Sequence, residues 1–378
     1  MRKVLCLASA ALLLSLATTT ASLALPKDTP VKSSKAAWES KWEDVLTAGK
    51  KEGVVRIYGT WTPAVRAALT KAFGSRYGIS LEFVVGRGAE LVPKLTAERQ
   101  AGLNLADVIG TGTNSFLTLM KPAGLLGPLE PLLILPEVLD SKAWPKGQIP
   151  FTDKDHYVVP ILAVPQRFFA YNKLQIKEGE LTAYKDVLQP KYKGKIVMGD
   201  PSITGAGSAL FARLAHDWVG VEETKDFLKR LLTEQRAVIS RDYRNQIEEI
   251  AKGKYAIGLG TQNGTIADFL ASGAPIAVVP TMDVDVTPES GAIAVPKTPA
   301  HPHATAVFVN WILSAEGATT FSKSSGMPVV RLGVSKEAIN PFFLTGPETR
   351  LYMETEEYII FAGQMRKAFK QIIDTHGK

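Results

Sequence analysis

Four times along this chain, a short run rich in β-branched or small apolar residues ends in a turn built of Gly, Ser, Thr or Asn. Each turn passes directly into a helical pattern. Val54-Val55-Arg56-Ile57-Tyr58-Gly59 runs through Thr60-Trp61-Thr62-Pro63 into a helix over Ala64 to Phe73, with Pro63 suited to the first helical position. Ala106 to Gly110 runs through Thr111-Gly112-Thr113-Asn114 into a helix through Met120. Lys195 to Gly199 leads through Asp200-Pro201-Ser202-Ile203-Thr204-Gly205 into a helix near Ser208. Tyr255 to Gly260 leads through Thr261-Gln262-Asn263-Gly264-Thr265 into a helix over Ile266 to Ser272. A further strand at Ile79 to Val85 precedes a helix at Leu91 to Ala101, and late helices are predicted at Ala304 to Ser314 and Tyr358 to Ile373. Strands alternating with helices predict an α/β fold with right-handed crossovers and parallel sheets.

In open α/β sheets the turns at the carboxyl ends of strands are where ligands bind. Each such turn offers backbone N–H groups, the positive end of a helix dipole, and short hydroxyl or amide side chains. Several facing one another across two sheets would build a polar cleft suited to a carboxylate, phosphate or sulfate. On this ground Thr60, Thr111, Thr113, Asn114, Ser202, Thr204, Gly205, Thr261, Gln262 and Asn263 are candidate ligand contacts. The competing reading is that they are ordinary helix caps, where Ser, Thr and Asn are favoured for local reasons.

The N-terminus narrows the setting. Arg2 and Lys3 precede an apolar run from Val4 to Leu16, and small residues lead to Ser22-Leu23-Ala24, the pattern of a secretory signal peptide over 1–24. Cleavage after Ala24 would leave 354 of the 378 residues and remove Cys6, the only cysteine, so no disulfide framework, thiolate nucleophile or cysteine metal site is expected. A chain of that length exceeds the size at which one core usually divides, and two lobes are expected. The net charge of +7 falls to +5 when Arg2 and Lys3 are lost, and the charge is dispersed without a Lys/Arg block. Nucleic acid is therefore a poor partner.

The order and spacing of several segments resemble the extracellular solute-binding proteins of ABC importers, in the type 2 group that includes ferric-iron and phosphosugar binders. The segments are Glu52 to Gly59, Gly86-Arg87-Gly88-Ala89-Glu90-Leu91 with Leu95 to Glu98, and Ala106-Asp107-Val108 with Gly110 to Phe116. Lys193 to Ser202, Ile250 to Gly258, and His301-Pro302-His303-Ala304-Thr305-Ala306 leading to Trp311-Ile312-Leu313-Ser314 complete the set. The resemblance implies the type 2 periplasmic binding fold, two Rossmann-like lobes joined by hinge strands. It implies a first lobe over 25–164, a second over 165–275, a return to the first over 276–324, and a C-terminal helical segment over 325–378 packing across both. It also implies a periplasmic monomer that captures a small solute without a cofactor and delivers it to an inner-membrane ABC permease. Iron-binding members carry paired tyrosines in the turn that here reads Thr261 to Thr265, without a phenolate donor. Ferric ion needs anionic oxygen donors, so an organic anion is the expected ligand, with Tyr58, Tyr171 or Tyr243 left as donors for a different metal site.

Arginines in turns are the further candidates, because a guanidinium holds a carboxylate or phosphate through two parallel hydrogen bonds. Arg87 lies between two glycines, Arg167 in Pro165-Gln166-Arg167, and Arg241 in Ser240-Arg241-Asp242-Tyr243, where it alternatively pairs with Asp242. Tyr243 joins them, and Trp61 either stacks on a solute or packs in the first lobe. His301 and His303 read as a helix-entry turn rather than a metal pair, and Phe308 and Trp311 as core. The chain has no complete dinucleotide fingerprint, Walker A lysine or G-x-S-x-G elbow. A binding protein is thus expected, with a metal carrier of the same fold, a secreted hydrolase and a sensor subunit as its rivals.

Overall fold

Fourteen strands are described, and the chain lays the first five down in one sheet. They are β1 (Val54–Gly59), β2 (Ser80–Val85), β3 (Val108–Thr111), β4 (Leu126–Gly127) and β5 (Val158–Pro160). A short β6 (Val164–Pro165) then leads into β7 (Phe169–Asn172), β8 (Ile196–Gly199), β9 (Val238–Ser240), β10 (Ile257–Leu259) and β11 (Ile276–Val278). Finally come β12 (Asp283–Thr287), β13 (Ala292–Pro296) and β14 (Arg350–Met353). The chain is seen here in a computed structural model, which describes residues 36–279, 283–346 and 349–377. The expected signal peptide over 1–24 and Cys6 lie outside the described residues. Residues 37–378 belong to one compact unit.

The first sheet runs β2-β1-β3-β13-β4, with β5 also paired to β13. The second runs β11-β7-β10-β8-β9. Neither is wholly parallel, which corrects the sequence expectation. β2, β1 and β3 are mutually parallel, but β13 enters antiparallel to β3. In the second sheet β8 runs parallel to β9 and β10, while β7 is antiparallel to β10 and β11. The antiparallel strands are the ones laid down as the chain enters or leaves a sheet without a preceding crossover helix. The expected return to the first lobe at residue 276 is also too early, since Ile276–Val278 still pairs with β7. The chain re-enters the first sheet at β13.

The segments linking the two large sheets pair with each other. β6 and β12 are antiparallel, and β14 adds to β12 in parallel, giving a separate three-stranded sheet. The C-terminal segment expected to be helical thus contributes a strand before its helix.

Each large sheet is covered by helices whose apolar faces form a core. Around the first sheet, Phe73 packs edge-on to Phe308 at 5.3 Å and tilted against Trp311 at 5.2 Å, and all three are fully buried. These come from the helices Pro63–Tyr77 and Pro302–Leu313. Pro63 opens the first of them, as its sequence predicts, and Thr62 caps it. Around the second sheet, Phe211, Phe227, Leu228 and Leu231 form the core with Met365 and Phe369 of the last helix, Glu356–His376. The same helix sends Tyr358 and Ile359 into a cluster with Ile109 and Phe116 of the first sheet side. It therefore packs against both halves. Among the described residues no helix is long and apolar enough to cross a membrane.

Candidate functional site

Between the two sheets a cavity of about 280 Å³ opens. Its walls come from separate stretches of chain. The turn after β3 supplies Gly112, Thr113 and Asn114, and the turn after β8 supplies Thr204, Gly205, Ala206 and Ser208. Tyr243 opens the helix after β9, Gln262 follows β10, and Tyr358, Ala362 and Arg366 come from the last helix. Gln166, Thr287, Glu289 and Glu354 close it from the linking segments. Six sequence candidates thus meet in one place: Thr113, Asn114, Thr204, Gly205, Tyr243 and Gln262.

The turn at Gly205 is set by sterics. Gly205 has φ 153°, and a Cβ there would stand 2.0 Å from the Tyr243 hydroxyl, so only glycine fits. One residue pair further in, Gly207 and Gly199 approach so closely that a Cβ on Gly207 would lie 2.5 Å from the Gly199 carbonyl. The helix Ala206–Arg213 therefore starts flush against β8. Its N-terminal amides do not open directly onto the cavity, however. The Ala206 amide donates to Tyr243 Oη at 2.8 Å, so the phenol oxygen stands at the place where an anion was expected. Burial pushes the Tyr243 hydroxyl up, against the pull of the Ala206 and Gly207 amides. The helix end thus acts through Tyr243, whose oxygen accepts from the amide and whose O–H is left to donate into the cavity.

The remaining candidates have other employment. Thr261 Oγ1 donates to the Arg167 carbonyl at 2.9 Å, and Asn263 bridges the Arg167 amide at 2.8 Å and the Pro165 carbonyl at 2.7 Å. These two buried side chains clamp the linking segment rather than face a solute. Arg167 itself donates to the Leu344 carbonyl at 2.9 Å. Arg241 pairs with Asp200 at 2.8 Å, not with its neighbour Asp242, and Ser202 also bonds Asp200. Arg87 is exposed at the start of the helix Gly88–Gln100, its amide held by Glu90. Thr111 is buried in β3, and Thr60 Oγ1 is buried without a partner. Trp61 is core: it is 4% exposed, sits edge-on to Phe321 at 5.2 Å, and donates to the Ser290 carbonyl. Local spacing points to turns that meet at this cavity but not to which of their side chains are spent on the backbone.

Among the other residues set aside, His301 and His303 bond Asp107 and Glu52 at the start of their helix. Tyr58 donates to Glu98, and Tyr171 is buried in the second core. Among the described residues no group of three or more His, Cys, Asp or Glu could hold a metal ion.

Two groups that the sequence reading missed dominate the electrostatics. Arg366 lines the cavity, half-buried, and makes no ion pair or hydrogen bond among the described residues. Burial lowers its pKa, with only the Tyr358 hydroxyl opposing. Glu354 accepts a short hydrogen bond from Thr113 Oγ1. Although part of its side chain reaches the cavity, loss of water and the nearby Asp285 push its carboxyl up to about 8. Below that pH it carries a proton. This raised value has a thermodynamic consequence. An unfolded Glu ionises near 4.5, so the stability tied to Glu354 is present below that pH and is lost as pH rises toward about 8. Glu354→Gln is expected to flatten this fall, by roughly 1–3 kcal/mol once solvent reaching the group is allowed for. Urea unfolding of both proteins from pH 4 to 9 measures it, and parallel curves would contradict it.

A two-lobed α/β fold with a polar gap between its sheets defines a class of solute-binding proteins, and the comparisons place the chain within it. Residues 68–342 match the family model of the bacterial extracellular solute-binding protein. The chain belongs to that family, whose members are binding proteins that work with an ABC permease rather than enzymes. Its fold is that of the type 2 periplasmic binding proteins. It is 27% identical over 281 residues, 72% of this chain and 76% of the other, to an uncharacterized protein of Haemophilus influenzae. Among solved structures it resembles AfuA of Actinobacillus pleuropneumoniae, described with exogenous fructose-6-phosphate bound, at 22% identity and TM-score 0.61 over 86% of this chain and 99% of that one. It likewise resembles iron-bound HitA of Pseudomonas aeruginosa at 21% identity and TM-score 0.62, over 84% and 99%. The open ferric iron-binding protein A of Mannheimia haemolytica aligns at 16% identity and TM-score 0.66, over 86% and 98%.

Proposed function

We propose that this chain is a periplasmic solute receptor that captures a small organic anion in the cavity between its lobes. It closes about the strands that link them and hands the solute to its permease. The observation that carries this reading is Arg366, a half-buried guanidinium facing the cavity with no carboxylate partner among the described residues. A charge held that way costs stability unless something supplies its counterion, and a carboxylate or phosphate does so through two parallel hydrogen bonds. Tyr243, Thr204 and Gln262 add donors around the same space. The first lobe is 36–164 with the return at β13, the second is 165–278, β6, β12 and β14 form the hinge, and the last helix packs against both lobes. The chain works as a monomer after its export signal is removed.

A ferric ligand suits this cavity poorly. The phenols at its wall, Tyr243 and Tyr358, are both pushed up by burial, and its two acids are held by Thr113 and Gln166 and belong to no metal-holding group of three among the described residues, whereas Fe³⁺ needs several anionic oxygen donors. The test is native mass spectrometry of freshly purified protein, followed by calorimetry against carboxylates, phosphate esters, sulfonates and ferric citrate. Binding of one organic acid class is the expected result. A coloured iron complex, or no binding of any acid, would refute the proposal.

A further inference from the structure

A site for a simple anion needs donors only, and each carboxylate in its wall adds repulsion. This cavity departs from that pattern. Together with Arg366 it is lined by Glu354 and Glu289. Glu289 is exposed at the mouth, its carboxylate held by the Gln166 side-chain amide at 2.9 Å. Glu354 lies in the strand-to-helix turn between β14 and the last helix, and it accepts a hydrogen bond from the Thr113 hydroxyl. Arg213, whose charge acts on Glu354, is already committed to Asp285 and Asp217. Neither cavity acid therefore has a cationic partner among the described residues, just as Arg366 has no anionic one. An arginine without an anionic partner and two acids without a cationic one thus line one small space.

We infer that the solute is a zwitterion, whose acid group meets Arg366 and whose ammonium group meets Glu354 and Glu289. This deepens the organic-anion reading and rests on it. The groups facing Glu354 are Thr113, Glu289, Asp285, Arg213 and the Tyr358 hydroxyl. Among them burial and the two acids prevail over Arg213, so without an ammonium beside it Glu354 is a neutral acid at pH 7. An ammonium placed beside it favours the carboxylate. The Glu354 O–H bond then breaks, the electron pair stays on the carboxylate, and the proton leaves to buffer. Binding is therefore coupled to release of about one proton at pH 7.

Calorimetry on the whole mature protein with matched pairs tests this: 4-aminobutanoate against butanoate, and 2-aminoethyl phosphate against ethyl phosphate. Each titration is run in two buffers of different ionisation enthalpy, so that released protons are counted. The amino member of at least one pair is expected to bind at least about tenfold more tightly, with proton release. In Glu354→Gln the proton release should disappear and the gap should narrow, and in Glu354→Gln with Glu289→Gln the gap should disappear. Equal binding within both pairs, or a gap as wide in Glu354→Gln as in the wild type, overturns the zwitterion assignment and leaves the organic-anion reading standing. If no acid binds with or without an amine, both fail. The wild-type comparison needs no variant, so the outcome does not hang on how Glu354→Gln folds.

Discussion

Arg366→Met is expected to weaken solute binding by at least about 100-fold while leaving the protein as stable as before, or slightly more so. The binding loss follows from two charge-assisted hydrogen bonds, each contributing about 1.5–3 kcal/mol when its partner is desolvated. The stability half follows from the same geometry read without the solute. Arg366 gives no hydrogen bond or ion pair to the folded chain among the described residues, and burial already disfavours its charge. Removing it relieves that cost, and Met keeps most of the apolar stem that packs along the helix. Opposite signs for binding and stability mark a residue held for a ligand rather than for the fold. Calorimetry and urea unfolding on one preparation read both. A variant that unfolds early, or that binds the solute unchanged, would remove Arg366 from the site.

Why the sequence points to the turns and not to Arg366 is a matter of range. The order of strands and helices, the cap at Thr62 and the buried Phe308 and Trp311 all follow from local periodicity and turn chemistry. Cavity residues in the turns that follow strands, such as Thr113, Thr204 and Gln262, carry a signal in their own neighbourhood. Arg366 sits beside Lys367 in a long amphipathic helix, where a basic residue normally marks a solvated face. One clue was available. Tyr358, Ala362 and Arg366 recur at four-residue spacing, so the arginine interrupts a stripe of apolar and small residues. The employment of Arg241 by Asp200, 41 positions away, and of Asn263 by Pro165 and Arg167, had no such trace. Those contacts come from the packing of distant segments. The mixed sheets have the same origin, since a strand's direction depends on which segment it meets.

Arg213→Met is expected to cost about 3–5 kcal/mol of stability, the range measured when one partner of a buried ion pair is removed. Arg213 is 1% exposed. Its Nε donates to Asp285 at 2.9 Å and its Nη1 to Asp217 at 2.5 Å, and its guanidinium lies 3.6 Å from the centre of the Tyr358 ring. Truncation leaves Asp285 equally buried, with no cation to offset a charge whose second oxygen already lacks a partner. Burial holds the Asp285 carboxyl above its usual value even with Arg213 present. A double variant, Arg213→Met with Asp285→Leu, should recover much of the loss, because an apolar pair of similar volume avoids desolvating either charge. The position of the network adds a functional consequence. It ties the helix Ala206–Arg213, whose start forms one cavity wall, to β12 in the linking sheet and to the last helix that carries Arg366. Arg213→Met should therefore lower solute affinity as well as stability, where Arg366→Met lowers affinity alone. If the double variant regains stability but not affinity, the ion pair sets the geometry of the cavity. If it regains both, packing alone suffices.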